Sequence, residues 1–417
     1  MIARKRARLV TSGCLWLVMA MLAKGAGERM AEEMLEAPAP VSRAELQSEI
    51  GVKLHRVHEF LVRRHLAGVL LTRVDNFSWI TAGVGDNHII ITSEIGTSSL
   101  LIMRDGSKYV VTNNSEMPRL MHEDLVGLGY QPREYEWYQD KIVPDRKLQI
   151  IHEIANGQPI GTDVPYGDLK MIADDFAPSR YQLTESEIKK YRWVGKAATE
   201  AVIAVCRQLK PGVSEREMEA MASNELMRRG LRPTVLLMGV DHRVYDYHHH
   251  TPTDLRLSKY AIVNVCARGW GLVASVARFV HFGPLEPELK RKLEAAMKIS
   301  AEFEAHSKPG VTGGQILEWA KTWYANTGFP GYWRDHHQGG AIGYAEREWV
   351  AVPGSKEVIQ DHQAFAWNPI VRGALSFDTI IIYSGRIENI TETADWPSVP
   401  IQIDGITYRM PDILVRQ

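Results

Sequence analysis

Apolar positions along the chain follow helical spacing in some stretches and short β-type runs in others. Four apolar side chains fall on one face of a predicted helix: Leu54, Val57, Phe60 and Leu61. Short runs rich in strand formers follow at 68–71, 88–92, 99–103 and 109–112, separated by Gly, Asp and Asn. This alternation of helices and strands predicts an α/β domain over residues 41–180.

A second region begins at Thr184. Thr184 and Glu187 have the spacing of a capping box ahead of a long amphipathic run to Leu209, and Ser214 opens another predicted helix. Strands at 260–267 and 272–282, helices at 287–305 and 312–327, and strand-rich stretches at 364–370 and 377–384 complete the pattern. Residues 184–417 are therefore predicted to form an α+β domain.

Composition and charge exclude several functional classes. The 49 basic residues balance 50 acidic residues, so the chain lacks the basic surface that nucleic acid or anionic lipid requires. Three cysteines are too few for a disulfide framework, and no Cys/His spacing indicates zinc. The expected partner is a small molecule or a short peptide.

The first 29 residues have the pattern of a leader. Four basic residues precede an apolar run at 9–22, and small residues follow. The run is short for a bilayer span, so a stable membrane anchor is not expected. A signal peptide predicts a periplasmic or secreted protein, whereas a misassigned start, with Met30 as the first residue, predicts a cytoplasmic one.

Five motifs occur in a characteristic order. They are HHHTPTDLRL (248–257), IVNVCARGWGLVASVARFVHFG (262–283), HHQGGAIGYAERE (336–348), AFAWNP (364–369) and FDT (377–379). In order and spacing they resemble the motifs of the creatinase, prolidase and aminopeptidase P family, and the resemblance covers nearly all of the chain after the leader. It implies a pita-bread fold in the carboxy-terminal domain, a creatinase-type α/β domain ahead of it, and a homodimer.

The same resemblance concerns metal binding. Peptidases of this family hold two metal ions with two Asp, one His and two Glu. The resemblance places neutral residues at all five positions: Asn264, Ser275, Gly340, Asn368 and Phe377. Such side chains cannot balance two divalent cations, so neither a metal nor another cofactor is expected. Creatinase works without a metal, but its two glutamates would fall near Ser275 and Asn368.

Histidines supply the candidate catalytic groups. His249, within the triplet 248–250, is the candidate general base, because imidazole titrates near neutral pH and needs one partner to fix its tautomer. His336 is the second candidate, and Glu348 would orient a water molecule. Gly339 and Gly340, close to His336, would let a ligand approach the backbone. The structural alternatives are a solvated His-rich loop at the triplet and, at His336, a Gly-rich turn with a satisfied core histidine.

The other candidates would bind the substrate. Asn264 and Asn368 offer both donors and acceptors, and Arg347 offers a cation to a carboxylate. The resemblance adds His250, His337, Trp367, Arg278, Asp86 and His88. Structural alternatives are core packing for Trp367, a buried ion pair for Arg278, and an ordinary salt bridge on a strand for Arg347 and Glu348.

Three functions follow. The first is a metal-independent, creatinase-like hydrolase of a C–N bond in a small amide, urea or guanidino compound, which predicts turnover that chelators do not affect. The second is a non-catalytic ligand- or peptide-binding pseudo-peptidase. The third is an Xaa-Pro-type metallopeptidase with a metal site rebuilt from histidines of the 248–250 triplet, His336 and His337, which requires imidazoles within about 2.1 Å of one metal ion.

Overall fold

The computed structural model describes residues 41–417, so the predicted leader lies outside the described residues. The helices are α1 (Arg43–Arg64), α2 (Val74–Ile80), α3 (Met117–Arg119), α4 (Arg146–Ala155), α5 (Ala173–Phe176), α6 (Glu185–Gln208), α7 (Glu215–Met227), α8 (His242–Asp246), α9 (Pro287–His306) and α10 (Gly313–Asn326). A π-helical turn covers Leu120–Asp124, and 3-10 turns cover Ala177–Arg180 and Tyr332–Arg334.

The strands form three larger sheets and two hairpins. They are β1 (Gly68–Arg73), β2 (Ile95–Met103), β3 (Lys108–Asn113), β4 (Gln131–Tyr135), β5 (Ile160–Thr162), β6 (Lys170–Met171), β7 (Arg232–Val240), β8 (Tyr260–Gly269), β9 (Leu272–Phe282), β10 (Gly339–Ile342), β11 (Trp349–Val350), β12 (Gln363–Trp367), β13 (Ile370–Val371), β14 (Ala374–Leu375), β15 (Ile380–Tyr383), β16 (Arg386–Asn389), β17 (Ser398–Ile403), β18 (Ile406–Pro411) and β19 (Leu414–Arg416).

Capping boxes start the two predicted helices of the second region. The Thr184 hydroxyl accepts from the Glu187 amide, while the Glu187 carboxylate accepts from the Thr184 amide at 2.7 Å. Ser214 and Glu217 form the same reciprocal pair ahead of α7. Each box satisfies amides that a helix start otherwise leaves unpaired, and the predicted starts are confirmed.

The amino-terminal region folds around a six-stranded sheet with the order β4-β3-β2-β1-β5-β6. Strands β1, β2 and β3 pair antiparallel, whereas β4, β5 and β6 each pair with a parallel neighbour. The predicted apolar face of α1 packs into the core under this sheet, with Val57, Phe60 and Leu61 fully buried. The division into domains at residues 180 to 184 stays a prediction.

The strand predicted at 88–92 is wrong. This segment runs as a loop, and Ile89, Ile90 and Ile91 are exposed by 50%, 57% and 72%. Strand β1 pairs with β2 on one side and β5 on the other, so it has no free edge for a further strand. Strand propensity alone cannot form a strand without a backbone partner.

The carboxy-terminal region holds the other two sheets. One has four strands in the order β19-β9-β8-β7, and the other has five in the order β11-β10-β12-β15-β16. Helices α6 and α7 pack on the first sheet. A cleft opens between β7 and β8 on one side and the segments around β10, β11 and β12 on the other.

A buried charge cluster joins α1 to α6 and consists of Glu49, Lys53, Glu187, Lys190 and Tyr344. The ammonium of Lys53 lies 2.6 Å from Glu49 and 2.8 Å from Glu187, and it donates to the Tyr344 hydroxyl at 2.9 Å. All of these ionic side chains are fully buried. Buried charges are stable only when paired in this way, so the cluster specifies how α1 docks on α6.

Helices long and apolar enough to cross a membrane do not occur in residues 41–417.

Candidate active-site cleft

A cleft of about 180 Å³ brings together residues from several of the predicted motifs. Its walls are formed by Val235, Leu237, His248, His249, Asn264, Cys266, His336, His337, Glu346, Arg347, Asn368, Ile370, Leu375 and Phe377. Of the twelve predicted site residues, six line the cleft: His249, His336, His337, Arg347, Asn264 and Asn368. The sequence motifs thus meet at one place, although the first and the last lie more than a hundred residues apart.

The histidines form a contiguous cluster. The Nε2 atoms of His249 and His336 are 3.1 Å apart, and the rings of His336 and His337 have centroids 4.1 Å apart. His248 adds a fourth ring, 5.5 Å from that of His336. With its proton on Nδ1, His336 donates a hydrogen bond to the His337 carbonyl at 2.8 Å. Its Nε2 then accepts a hydrogen bond from the Nε2–H of His249.

Burial favours the neutral form of several of these rings. It lowers the pKa of His336 to about 4, and the neighbouring His249, His248 and Arg347 add to the effect. Partial burial, together with His336 and Arg347, lowers the pKa of His337 to about 3. The pKa of His248 is also lowered by burial. At neutral pH these imidazoles are uncharged and can accept protons or orient a partner ring.

Arg347 is the cation of the cleft. Its Nη1 donates to the Glu346 carbonyl at 2.7 Å, while its buried Nε has no hydrogen-bond partner within residues 41–417. The guanidinium lies 5.8 Å from the centre of the Phe377 ring, and burial lowers the pKa of Arg347. The neighbouring carboxylate, Glu346, instead lies 3.4 Å from Arg268. A half-buried cation whose Nε is inaccessible and unpaired favours an anionic ligand.

The asparagine side chains of the cleft also have hydrogen-bonding atoms without a partner among the described residues. Asn264 Oδ1 and Asn368 Oδ1 are buried and have no hydrogen-bond partner among the described residues. Asn368 Nδ2 lies 3.4 Å from His336 Nδ1. Buried polar atoms of this kind normally pair with water or a ligand, so both asparagines fit a role in substrate binding.

Three predicted site residues point away from the cleft. The Glu348 carboxylate lies 2.7 Å from Arg180, on the face of the chain opposite Arg347. His250 is buried against β7, where a Cβ at Gly239 would lie 2.6 Å from its ring. Trp367 donates from Nε1 to Ser307 Oγ at 2.9 Å, within the core. Arg347 and Glu348 lie in the bent segment between β10 and β11, where neighbouring side chains take different directions.

The remaining three predicted residues are also remote from the cleft walls. Arg278 donates to Asp378 at 2.9 Å and to the Thr391 carbonyl at 3.0 Å, which is the buried ion pair that the sequence left as its alternative. Asp86 lies 2.9 Å from Arg232, and His88 is buried. A contribution of Asp86 and His88 to a second subunit stays a prediction, as does the homodimer.

The two glycines after the histidines serve strand packing. A Cβ at Gly339, which has φ of 96°, would lie 2.2 Å from the Ala366 carbonyl oxygen. A Cβ at Gly340 would lie 2.2 Å from the Trp349 carbonyl oxygen. Close contact with β11 and β12 explains both residues without a ligand, which corrects the expectation of a ligand at this backbone.

Sequence reasoning missed Cys266 and Glu346 as cleft residues. Cys266 pairs across strands with Ser275, and their Sγ and Oγ atoms are 3.1 Å apart. Burial raises the pKa of the Cys266 thiol, so it remains protonated at neutral pH. A signal was present, because Cys266 and Asn264 are separated by two residues on one strand and therefore share a face.

Comparison with known proteins gives the family. Residues 189–396 match the model of metallopeptidase family M24. An Xaa-Pro dipeptidase from Pyrococcus horikoshii is 21% identical over 367 residues, with 82% of this chain and 97% of the relative covered. The chain belongs to the creatinase, prolidase and aminopeptidase P family. It is thus a member of a family of hydrolases related to Xaa-Pro dipeptidases.

Solved structures support the fold of this family member. The dipeptidase PepE of Mycobacterium ulcerans has a TM-score of 0.69 at 16% identity, and the likeness covers 88% of this chain and 98% of that one. The amino-terminal domain of FACT complex subunit SPT16 from Cicer arietinum has a TM-score of 0.62 at 12% identity, covering 83% and 96%. The fold is the pita-bread fold preceded by a creatinase-type domain, as the motifs predicted.

The cleft does not fit the family's pair of metal ions. Its walls carry one carboxylate, Glu346, which faces Arg268, and one half-buried cation, Arg347. Two divalent cations need several anionic oxygens, and a guanidinium beside them would repel them. Within residues 41–417, no three His, Cys, Asp or Glu side chains are arranged to hold a metal ion, and this includes the cleft histidines.

Proposed function

We propose that the cleft binds a small carboxylate-bearing amide, urea or guanidino compound and hydrolyses one of its C–N bonds without a metal ion. The observation that carries this proposal is the 3.1 Å contact between His249 Nε2 and His336 Nε2 in the cleft that Arg347 also lines. A paired imidazole supplies a base, and the guanidinium supplies an anchor.

The histidine pair supports proton transfer. When the Nε2–H of His249 donates a hydrogen bond to His336 Nε2 and stays on His249, the lone pair of His249 lies on Nδ1 and can accept a proton from water. The water oxygen then bonds to the carbon of the scissile C–N bond. As that bond breaks, the leaving nitrogen takes the proton from His249, so that an amide yields a carboxylic acid and an amine.

Arg347 and the asparagines support binding of the substrate. Arg347 would bind a carboxylate through the donors that its neighbours leave free. Asn264 and Asn368 would donate to, or accept from, the amide or urea group, since each has a buried oxygen without a partner among residues 41–417. A cleft of about 180 Å³ is small for a drug-sized ligand, which favours a compound of amino-acid or dipeptide size.

Release of amine from four probes tests the proposal: N-acetylglycine, N-carbamoylglycine, creatine and glycylproline. Turnover of at least one probe should persist after dialysis against EDTA. His249→Ala and His336→Ala should each lower kcat by about 10² to 10⁴, the usual contribution of a positioned base. His152→Ala is the matched control, because His152 is exposed and pairs with Asp168 on another surface. Turnover that EDTA abolishes would contradict the proposal.

A second candidate function is ligand binding without catalysis. Glu348 is bonded to Arg180 and Glu346 faces Arg268, so the cleft side chains of residues 41–417 give the histidines no free carboxylate as a partner. This candidate predicts that a probe raises the thermal midpoint equally in the wild type and in His249→Ala, and that no amine is released.

A further inference from the structure

A second and larger cavity lies at the carboxy-terminal end of α9. Its volume is about 640 Å³, which falls in the range of small-molecule sites. The walls come from the end of α9, the β15–β16 hairpin and the β17–β18 hairpin, and include Glu304, Tyr383, Ile387, Ile403, Tyr408 and Arg409. Among the described residues, this cavity and the histidine cleft share no lining side chain.

Glu304 is the unusual residue of this cavity. It is 6% exposed, and no residue within 41–417 gives its carboxyl group a hydrogen bond or an ion pair. Burial raises the pKa of Glu304 well above its usual range, and the nearby Asp378 and Glu392 add to the effect. Its place in the last turn of α9 adds the negative end of the helix dipole.

Three cations line the same cavity: Lys308, Arg386 and Arg409. Lys308 is exposed and makes no ion pair with Glu304, and the two arginines are engaged elsewhere. Arg409 lies 3.1 Å from Glu392, and Arg386 lies 3.4 Å from Glu388 and stacks on the Tyr383 ring. By contrast, Glu302 on the same helix lies 3.5 Å from His306. A carboxyl group buried at the wall of a roomy cavity, without a partner in the described chain, calls for a cation from outside.

We infer that this cavity is a binding site for a small organic cation, whose ammonium, amidinium or guanidinium head pairs with Glu304. The body of the ligand would pack on the apolar side chains of Ile387 and Ile403 and on the Tyr408 ring. Planar nitrogen cations match a carboxylate with two parallel hydrogen bonds. The site is independent of the proposed hydrolysis, because Arg347 gives the histidine cleft the opposite charge preference.

Isothermal titration with benzamidine, and with benzamide as a neutral probe of the same shape, tests the inference. Benzamidine should bind saturably and benzamide about tenfold more weakly or not at all. Glu304→Gln should abolish the preference for benzamidine. Glu302→Gln, two residues away and outside the cavity lining, should leave benzamidine binding unchanged. Equal binding of the two probes, or undiminished benzamidine binding by Glu304→Gln, would overturn the inference.

Proton release on binding provides a second measurement. Glu304 must ionise to pair with benzamidine, so binding near neutral pH should release a proton. Titrations in buffers of different ionisation enthalpy should then give different heats for the wild type and equal heats for Glu304→Gln. Buffer-independent heats in the wild type, together with equal benzamidine affinity in Glu304→Gln, would refute the pairing. The Arg347→Met variant should bind benzamidine as the wild type does, which would distinguish this site from the histidine cleft.

Discussion

The histidine cleft and the buried charge cluster are both polar regions inside the protein, but they differ in how far their groups are satisfied. In the cluster, Lys53 is bonded to two carboxylates, a hydroxyl and the Trp79 carbonyl. In the cleft, the Nε of Arg347 and the amide oxygens of Asn264 and Asn368 have no partner within residues 41–417.

This difference separates a structural polar site from a site for a ligand. A complete set of hydrogen bonds holds two elements together and leaves nothing for another molecule to contact. Unsatisfied buried groups cost free energy that a bound molecule can recover. The cavity beside Glu304 resembles the cleft in this respect and not the cluster.

The largest expected effect is on the charge cluster. Lys53→Met leaves Glu49 paired with Lys190 but removes the cation that pairs with the buried Glu187, so the free energy of unfolding should fall by about 3 to 5 kcal/mol. Urea unfolding measures it. Lys196→Met is the matched control, because Lys196 pairs with Glu200 on the surface, and it should change stability by less than about 0.5 kcal/mol.

A loss of less than about 1 kcal/mol in Lys53→Met would break the comparison, because the cluster would then tolerate an unpaired charge as the cleft does.

The next effect is acid sensitivity beside the cleft. Burial lowers the pKa of His250 from 6.5 in the unfolded chain to about 4 in the fold. Between these values the unfolded chain binds the proton more strongly than the folded protein, so the free energy of unfolding falls as the pH drops from 6.5 to about 4. Below about pH 4 both states are protonated, and His250 causes no further loss. The loss is on the order of 3 kcal/mol.

His250→Asn tests this point, because it should flatten the dependence of unfolding free energy on pH in this window. Urea unfolding at several pH values between 7 and 4 measures the slope. An unchanged slope would show that His250 takes up a proton in the folded state as readily as in the unfolded chain.

The smallest effect concerns Arg347. Arg347→Met removes a half-buried cation that lacks a carboxylate partner within residues 41–417, so stability should stay equal or rise by about 1 kcal/mol. The thermal shift caused by a carboxylate-bearing probe such as N-acetylglycine should disappear. Arg347→Lys keeps the charge and should retain a weaker shift. A drop in stability as large as that of Lys53→Met would make Arg347 part of the structure and not of a ligand site.

Local sequence patterns identified most of the elements. The capping boxes at Thr184 and Ser214 and the long apolar strands at 260–269 and 272–282 depend on neighbours within a few residues, so the sequence could reveal them. The isoleucines at 89–91 could not be placed this way, because a strand needs a distant partner with a free edge.

Part of the candidate site was also predictable, because it depends on the order of the sequence motifs. Motif order placed His249, His336 and Arg347 in one cleft, and the structure brings all three to its walls. Glu348 and Trp367 belong to the same motifs but face Arg180 and the core. Adjacency in sequence does not fix which face of a strand a side chain occupies once bends and turns intervene.

By itself the sequence determined the family, the helix starts and the neutral character of the residues at the five expected ligand positions, since these follow from residue identity and short-range spacing. Only the tertiary structure decided which polar groups are satisfied. The completeness of the cluster around Lys53, the free capacity of Arg347 and the isolation of Glu304 each depend on contacts between segments far apart in the chain. Pairing of a buried charge is a property of its three-dimensional surroundings, and no local pattern encodes it.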